Sequence, residues 1–388
     1  MRVELCERPL WRCFVSTKLS DKSTVNMFLQ KLRCAYFKNY TSVAWEFAPQ
    51  LNFVVGPNGT GKTTLLDAIY YLTFTKSAFN AIDSQNIQHG QTAFAVEGQL
   101  VKQAKPYVLK CVFQQHGGKL FTNNGKPYAK LRDHIGLFPG VLTTPYDTDL
   151  VRGGSEARRR FFDGLLCQLD RNYLDKLLQY QHILRQRNSF LRLHKATGQL
   201  DRDLLASYDH QLLSLGKYLF EARAAFLQGF VPIFQKYYQY FVAAEEAVQL
   251  DYVSEVAAPD FEQRFFGSLV QDLALQRTTR GVHRDEIRCT LNGHALKKIG
   301  SQGQQKSFII ALRLAQYECL DKALQVKPLL LLDDIFDKLD EQRIARLVQL
   351  IAQQQFGQVF ITDAKGTSSA AIMQQVKAEQ TLIKCGTT

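Results

Sequence analysis

The stretch Gly56-Pro57-Asn58-Gly59-Thr60-Gly61-Lys62-Thr63-Thr64 constrains what this chain can fold into more than any other. It fits GxxxxGK[ST], and its flanks give the pattern meaning. An apolar run at 51–55 reads as a buried strand, and the spacing over 63–72 predicts a helix with Leu65, Leu66, Ile69 and Leu72 on one face. Glycines let the backbone curl into a nest of N–H groups, and the helix adds its positive end, so the loop suits the phosphates of a nucleotide. In such a loop Lys62 bridges the β- and γ-phosphates and the Thr63 hydroxyl ligates Mg²⁺. The expected cofactors are ATP and Mg²⁺; the plainer alternative is a glycine-rich turn that merely precedes a helix. A strand, loop and helix in this order demand an α/β fold.

A second segment supplies the acids such a site needs. Residues 329–332 are four leucines followed by Asp333 and Asp334, the pattern of a central parallel strand whose C-terminal end opens on a crevice. Asp333 is expected to hold Mg²⁺ through its water shell. Asp334 is expected to orient the attacking water, which makes Asp334 and Lys62 the catalytic pair. Because both segments must reach one crevice, the strands at 51–55 and 329–332 are expected to be neighbours. Asp340 has the position of the D-loop of ABC ATPases, and it equally suits the cap of a helix beginning at Glu341.

The third segment is Ser301-Gln302-Gly303-Gln304-Gln305-Lys306, ahead of an apolar helix near 304–320. It places a hydroxyl and free backbone amides at a helix N-terminus, a second anion site on one chain. One ATP has no use for two helix ends of one subunit, so this end is expected to face the γ-phosphate held by a second copy. The expected assembly is an ATP-sandwiched homodimer.

Between 155 and 265 the texture turns to long amphipathic repeats, which predict a helical arm lobe inserted into the chain, with Ser155 as a helix cap and a turn at 195–201. The α/β head is then split between 27–154 and 266–388, the latter carrying a helix over 341–354 and a strand at 358–362. Residues 1–26 show no sustained period and read as an extension, Met27 being a candidate native start. With 46% hydrophobic and 22% charged residues among 388, long disordered tracts are excluded. A net charge of +12 favours polyanionic partners, nucleic acid first, although a generally basic protein has the same balance. The 8 cysteines form no CxxC pair, and no apolar run approaches the roughly 20 residues of a membrane span, so a reduced, cytoplasmic setting without a membrane is expected.

The order GPNGTGKTTLLDAIYYL, GVHRDEIRCTLNG, GSQGQQKS, LLLLDDIFDKLD and QVFIT resembles the RecF family, relatives of SMC proteins among the ABC ATPases, over about residues 27–365. The resemblance implies an ABC-type P-loop ATPase head, weak ATP hydrolysis used as a switch, and DNA binding in replication and recombinational repair. It also implies gapped or single-strand/duplex junction DNA as the target, with RecR- and RecO-like partners that help load recombinase. The stretches GSEARRRFFDGLL and SYDHQLLSLGKYLFEAR resemble the family's helical arm, too short here for an SMC-type coiled coil.

Some positions depart from the family pattern. Where a segment like SFRTSRD brings an arginine, this chain reads SAFNAIDSQN, so no nucleotide-contacting arginine carries over. Transporter-type ATPases place a histidine where Thr362 and Asp363 stand, consistent with slow hydrolysis. Gln91 is either a metal-touching Q-loop residue or a turn glutamine. His283, Arg284 and Asp285 are either a relay of nucleotide state or a structural loop. Arg158, Arg159 and Arg160 crowd the first turn of a helix, where the dipole disfavours cations; DNA phosphate, or carboxylates of the neighbouring head such as those near Asp163, would compensate them. A transporter ATPase subunit is a competing class, disfavoured by the roughly 240 residues separating Lys62 from Ser301. A structural SMC-like clamp with negligible turnover is another.

Overall fold

The computed structural model describes residues 27–198, 200–242, 246–335, 339–353, 355–364, 366, 373 and 378–385. The expectations for residues 1–26, and for residues 336–338 of the IFDKLD segment, lie outside them. The described residues divide into two compact units.

The first unit holds the described parts of 20–148, 236–245 and 301–388. Its entry strand, Met27–Phe37, buries Met27, Leu29, Leu32, Cys34 and Phe37. Strict alternation would turn Leu32 outward. A bulge between Leu29 and Lys31 shifts the parity and returns it to the core. This strand lies in a six-stranded antiparallel sheet of order Tyr40–Glu46, Met27–Phe37, Ala93–Lys102, Lys105–Gln114, Gly118–Asn123, Lys126–Pro127.

The second sheet is parallel throughout, in the order Gln380–Lys384, Leu51–Val55, Val359–Asp363, Leu329–Leu332, Gly140–Thr143. The strands expected as neighbours are therefore not neighbours: Val359–Asp363 pairs with both and lies between them. Each strand still delivers its end to the same edge, because parallel pairing aligns their C-termini. The helix Lys62–Phe74 packs against strands of both sheets. It buries Leu65, Leu66, Ala68, Ile69, Tyr71 and Leu72, more than the single face legible from its repeat.

Polar side chains complete this core. Gln358, fully buried, accepts the Leu29 N–H at 2.7 Å and donates to the carbonyls of Leu29 (2.8 Å) and Ala48 (2.7 Å). It satisfies buried backbone groups of two separate segments, the entry strand at Leu29 and the connection at Ala48.

The second unit holds the described parts of 149–235 and 246–300. Ser155–Leu169 is followed by Arg171–Thr197, capped by Asp170 accepting from Asn172 N and Tyr173 N, and then by Arg202–Phe241. The pairs Arg187–Asp209, Phe190–Tyr208 and Asn172–Tyr218 run in opposite directions along the last two helices, which makes them an antiparallel hairpin. The helix reaches Thr197, so the expected turn at 195–201 begins later, at Gly198 with φ 71°.

Ser155 is the first helical residue rather than the cap; Gly154 caps, and the Ser155 hydroxyl donates to Glu286. This unit also contains a three-stranded antiparallel sheet, His294–Ala295, Glu286–Leu291, Val248–Val253, the last of which falls within the segment expected to be helical. Two buried arginines pin it internally. Arg187 meets Asp209 and Asp272 at 2.6 Å each, and Arg223 meets Asp163 and Asp285 at 2.9 Å each.

Candidate functional site

The loop at 56–63 leaves the Leu51–Val55 strand and enters the Lys62–Phe74 helix through Gly61 at φ 103°, a left-handed conformation that favours glycine. A side chain there would also collide with Tyr40, whose hydroxyl donates to the Gly61 carbonyl at 2.9 Å. Among the described residues no side chain caps this helix, which leaves its first amides to an anion. Lys62 is buried and folds back over the loop, donating to the carbonyls of Gly56 (2.9 Å) and Pro57 (3.0 Å). Thr60 ties the same loop by donating to the Pro57 carbonyl at 2.9 Å, and Asn58 and Gly59 are exposed at its crest.

The Thr63 hydroxyl lies 3.1 and 3.0 Å from the two oxygens of Asp333. Asp333 is 3% exposed, and burial raises its carboxyl to about 6, with the neighbouring Asp334 charge adding to the rise and the Thr362 and Thr63 hydroxyls opposing it. Asp334 follows in a left-handed conformation, φ 44°, unusual for a residue with a side chain. Its N–H donates to Thr362 Oγ1 at 2.7 Å. Thr362, at the end of the intervening strand, is a site residue the sequence did not single out for contact with the acids.

Ser301 caps the helix Gln302–Leu324 in a capping box: its hydroxyl accepts from Gln304 N at 3.2 Å, and its own N–H donates to Gln304 Oε1 at 2.7 Å. Ser301 and Gln302 are exposed, while Gly303 and Gln304 are half-buried. Asp340 caps Glu341–Ala352 by accepting from Arg343 N at 2.9 Å and also ion-pairs with the Arg343 guanidinium. Arg343 in turn donates to buried Ser307 at 2.7 Å, which joins the Asp340 segment to the signature helix. Arg343 was legible only as a cation three residues after an acid.

The sequence model of the RecF/RecN/SMC N-terminal domain matches residues 28–383. The DNA replication and repair protein RecF of Cytophaga hutchinsonii is 45% identical over 90% of this chain and 92% of its own length. The chain belongs to the RecF family. RecF of Flavobacterium johnsoniae is 43% identical over 90% of this chain and 97% of its own length. Among solved structures, the recombination mediator protein RecF with ATP, of the RecFOR pathway, superposes with a TM-score of 0.82 at 26% identity, covering 90% of this chain and 95% of that one. An Smc head domain from Pyrococcus furiosus shares the fold, with a TM-score of 0.52 at 15% identity over 89% of this chain and 91% of its own. The fold is thus the ABC-type ATPase head of RecF and SMC proteins, and the role of this RecF-family chain falls within DNA replication and repair.

The remaining candidates divide. Gln91 is exposed and its N–H donates to the Gln88 carbonyl at 3.0 Å, the geometry of a turn. His283 and Asp285 are held in a buried network: His283 Nδ1 meets the Tyr180 hydroxyl at 2.7 Å, and Asp285 accepts from Arg223 at 2.9 Å. Burial drives His283 down to about 4 and raises Asp285.

Arg158 is buried, paired with Glu286 at 2.6 Å and donating to the carbonyls of Leu150 and Gly153. Arg159 donates to the Asp285 carbonyl. Carboxylates do compensate the cluster: Glu286 pairs Arg158, Glu156 pairs Arg160, and the Asp285 and Asp163 charges favour the charged form of Arg159, although the direct ion pair of Asp163 is with Arg223. Only Arg160 of the three presents an exposed guanidinium, paired with Glu156 one turn back.

Proposed function

We propose that this RecF-family chain is an ATP-dependent DNA-binding protein that recognises gapped or single-strand/duplex junction DNA and assists recombinase loading through an ATP-sandwiched homodimer. The observation that carries the reading is the contact of Thr63 with buried Asp333 beside a helix end whose amides no side chain among the described residues caps. A hydroxyl and a carboxylate brought together in a buried setting form the oxygen donor set that Mg²⁺ prefers. Thr63 and Asp333 would hold the ion, the latter through its water shell, and the metal would neutralise charge developing on the γ-phosphate. Lys62 would exchange the loop carbonyls for phosphate oxygens, and Gly56, Pro57, Asn58, Gly59, Thr60, Gly61 and Thr64 would wrap the β-phosphate.

Asp334 would hold the attacking water. The exposed start of the Gln302–Leu324 helix supports action in trans, with Ser301, Gln302, Gly303 and Gln304 meeting the γ-phosphate of the second copy and Asp340 standing at the same seam. Hydrolysis would be slow and serve as a switch, a reading supported by Thr362 and Asp363 where transporters carry a histidine. The RecFOR pathway named for the ATP-bound RecF structure supports RecR- and RecO-like partners. Among the described residues no helix is long and apolar enough to cross a membrane, and we propose a cytoplasmic site of action.

The test is the oligomeric state and the affinity for gapped, duplex and single-stranded DNA, measured with ATP, with ADP and without nucleotide. ATP alone should produce a dimer that retains gapped DNA. A chain that stays monomeric in ATP and binds DNA equally in all three conditions would refute the reading.

A further inference from the structure

Asp334 has a left-handed backbone at φ 44°, which costs free energy for any residue bearing a Cβ and persists only where neighbours over-determine it. The neighbour here is Thr362. Its Oγ1 accepts the Asp334 N–H at 2.7 Å, while its own proton has two candidate acceptors, Asp333 Oδ1 at 3.0 Å and Asp334 Oδ1 at 3.2 Å. Thr362 is fully buried and fixed in the sheet, since its strand pairs with Leu51–Val55 on one side and Leu329–Leu332 on the other. One hydroxyl on a strand paired on both sides therefore touches both acids and the backbone between them.

We propose that Thr362 is a positioning residue for ATP hydrolysis: its hydroxyl locks Asp334 in the left-handed conformer and so sets where the Asp334 carboxylate stands relative to Asp333. A hydroxyl has one proton, so it serves one carboxylate at a time while its lone pair keeps the Asp334 amide. The lock on the backbone thus persists whichever acid takes the proton. This rests on the reading of Asp334 as the water-orienting group, but the lock itself exists without nucleotide and can be read without turnover.

The test uses the full chain and two variants. Thr362→Val keeps shape and β-branching while removing the hydroxyl; Thr362→Ser restores the hydroxyl without the methyl group. In the nucleotide-free protein, Asp334 amide hydrogen exchange should accelerate in Thr362→Val and return to the parental rate in Thr362→Ser. With ATP, kcat should fall by about 10- to 100-fold in Thr362→Val at saturating ATP and Mg²⁺, the usual effect of losing a partner that orients an active-site group, with kcat restored in Thr362→Ser. Parental exchange and kcat in Thr362→Val would overturn the proposal. So would equal impairment of both variants, which would assign the effect to packing of the methyl group. If the parental chain hydrolyses no ATP with or without DNA, the ATPase reading fails, and the exchange arm still decides whether Thr362 locks Asp334.

Discussion

Thr63 and Asp333, 270 residues apart in sequence, meet as one hydroxyl at 3.1 and 3.0 Å from the two oxygens of a single carboxylate. The contact unites the phosphate loop with the acidic strand end although another strand runs between them. Parallel pairing of all three strands brings their C-termini to one edge, and the first turn of the Lys62–Phe74 helix reaches across the intervening strand's end.

Asp334→Asn should leave ATP binding intact and slow hydrolysis by about 100-fold or more, the contribution of a lost general base. Asparagine tolerates the left-handed backbone of this position, so the substitution removes the carboxylate without disturbing the Asp333 contact. The ATP-bound dimer should accumulate. Single-turnover hydrolysis at the parental rate would mean that another acid orients the water.

Burial raises Asp333 from 3.8 to about 6, and the sign of the pH effect follows from that direction. Between these values the folded, metal-free chain holds a proton that the unfolded chain has released. The charged carboxylate therefore opposes folding above pH 6, and the penalty disappears as pH falls through that window. Binding of Mg²⁺ with nucleotide runs the other way, because proton and metal compete for the carboxylate. Mg²⁺-dependent ATP affinity should weaken by about tenfold from pH 7.5 to pH 5. Asp333→Asn should flatten that dependence; a dependence surviving in the variant would assign it to another group. His134 and His283, both lowered to about 4, act oppositely on stability, which declines as pH falls from the usual histidine range through 4. The parental chain and the Asp333 variant must therefore be compared at each pH.

The loop, its flanking strand and helix, the acidic strand end and the signature were legible in the sequence because each is a local pattern, complete within about ten residues. What escaped depends on pairing across hundreds of positions. Sheet order is one case: four leucines at 329–332 announce a buried strand but carry nothing that selects a neighbour. Gln358 is another, since a glutamine at the start of an expected strand carries nothing that points to the Leu29 backbone 329 residues away. Glu286, which compensates Arg158 from 128 residues away, lies beside the HRD segment without any spacing that links it to the arginines. The three-stranded sheet around Glu286–Leu291 pairs with Val248–Val253 across two short helices, and Val248–Val253 falls inside the stretch expected to be helical.

Arg187→Met should destabilise the second unit by about 3–5 kcal/mol, because it leaves Asp209 and Asp272 buried without their cation. Urea unfolding followed by near-ultraviolet circular dichroism would measure it. Adding Asp209→Leu and Asp272→Leu should recover much of the loss, since an apolar cluster of similar volume replaces the triad. A single variant as stable as the parent would mean that water reaches the site.

Arg160→Ala should reduce DNA affinity uniformly across sequences and lower the slope of log affinity against log salt by about one. Arg158→Ala should instead act on folding, because its guanidinium is committed to Glu286 and two carbonyls. Fluorescence anisotropy over a salt series separates the two effects. An unchanged slope in Arg160→Ala would remove the last of the three arginines from the DNA surface.

Ser301→Arg should permit ATP binding by the monomer and abolish ATP-induced dimerisation. Ser301 has two roles that one substitution confounds: it caps the Gln302–Leu324 helix, and it stands exposed where the partner's γ-phosphate would arrive. Loss of the cap alone costs about 1 kcal/mol, so Ser301→Ala is the control. It removes the hydroxyl without bulk and should still dimerise, more weakly. Arginine removes the same cap and fills the approach to the helix's free amides, so the difference between the two variants reports access and not helix stability. Hydrolysis and ATP-dependent retention on gapped DNA should fall with the dimer in Ser301→Arg, while binding of a fluorescent ATP analogue persists. Light scattering in ATP decides the matter: a Ser301→Arg variant that dimerises with parental affinity would show that the signature does not meet nucleotide across two subunits.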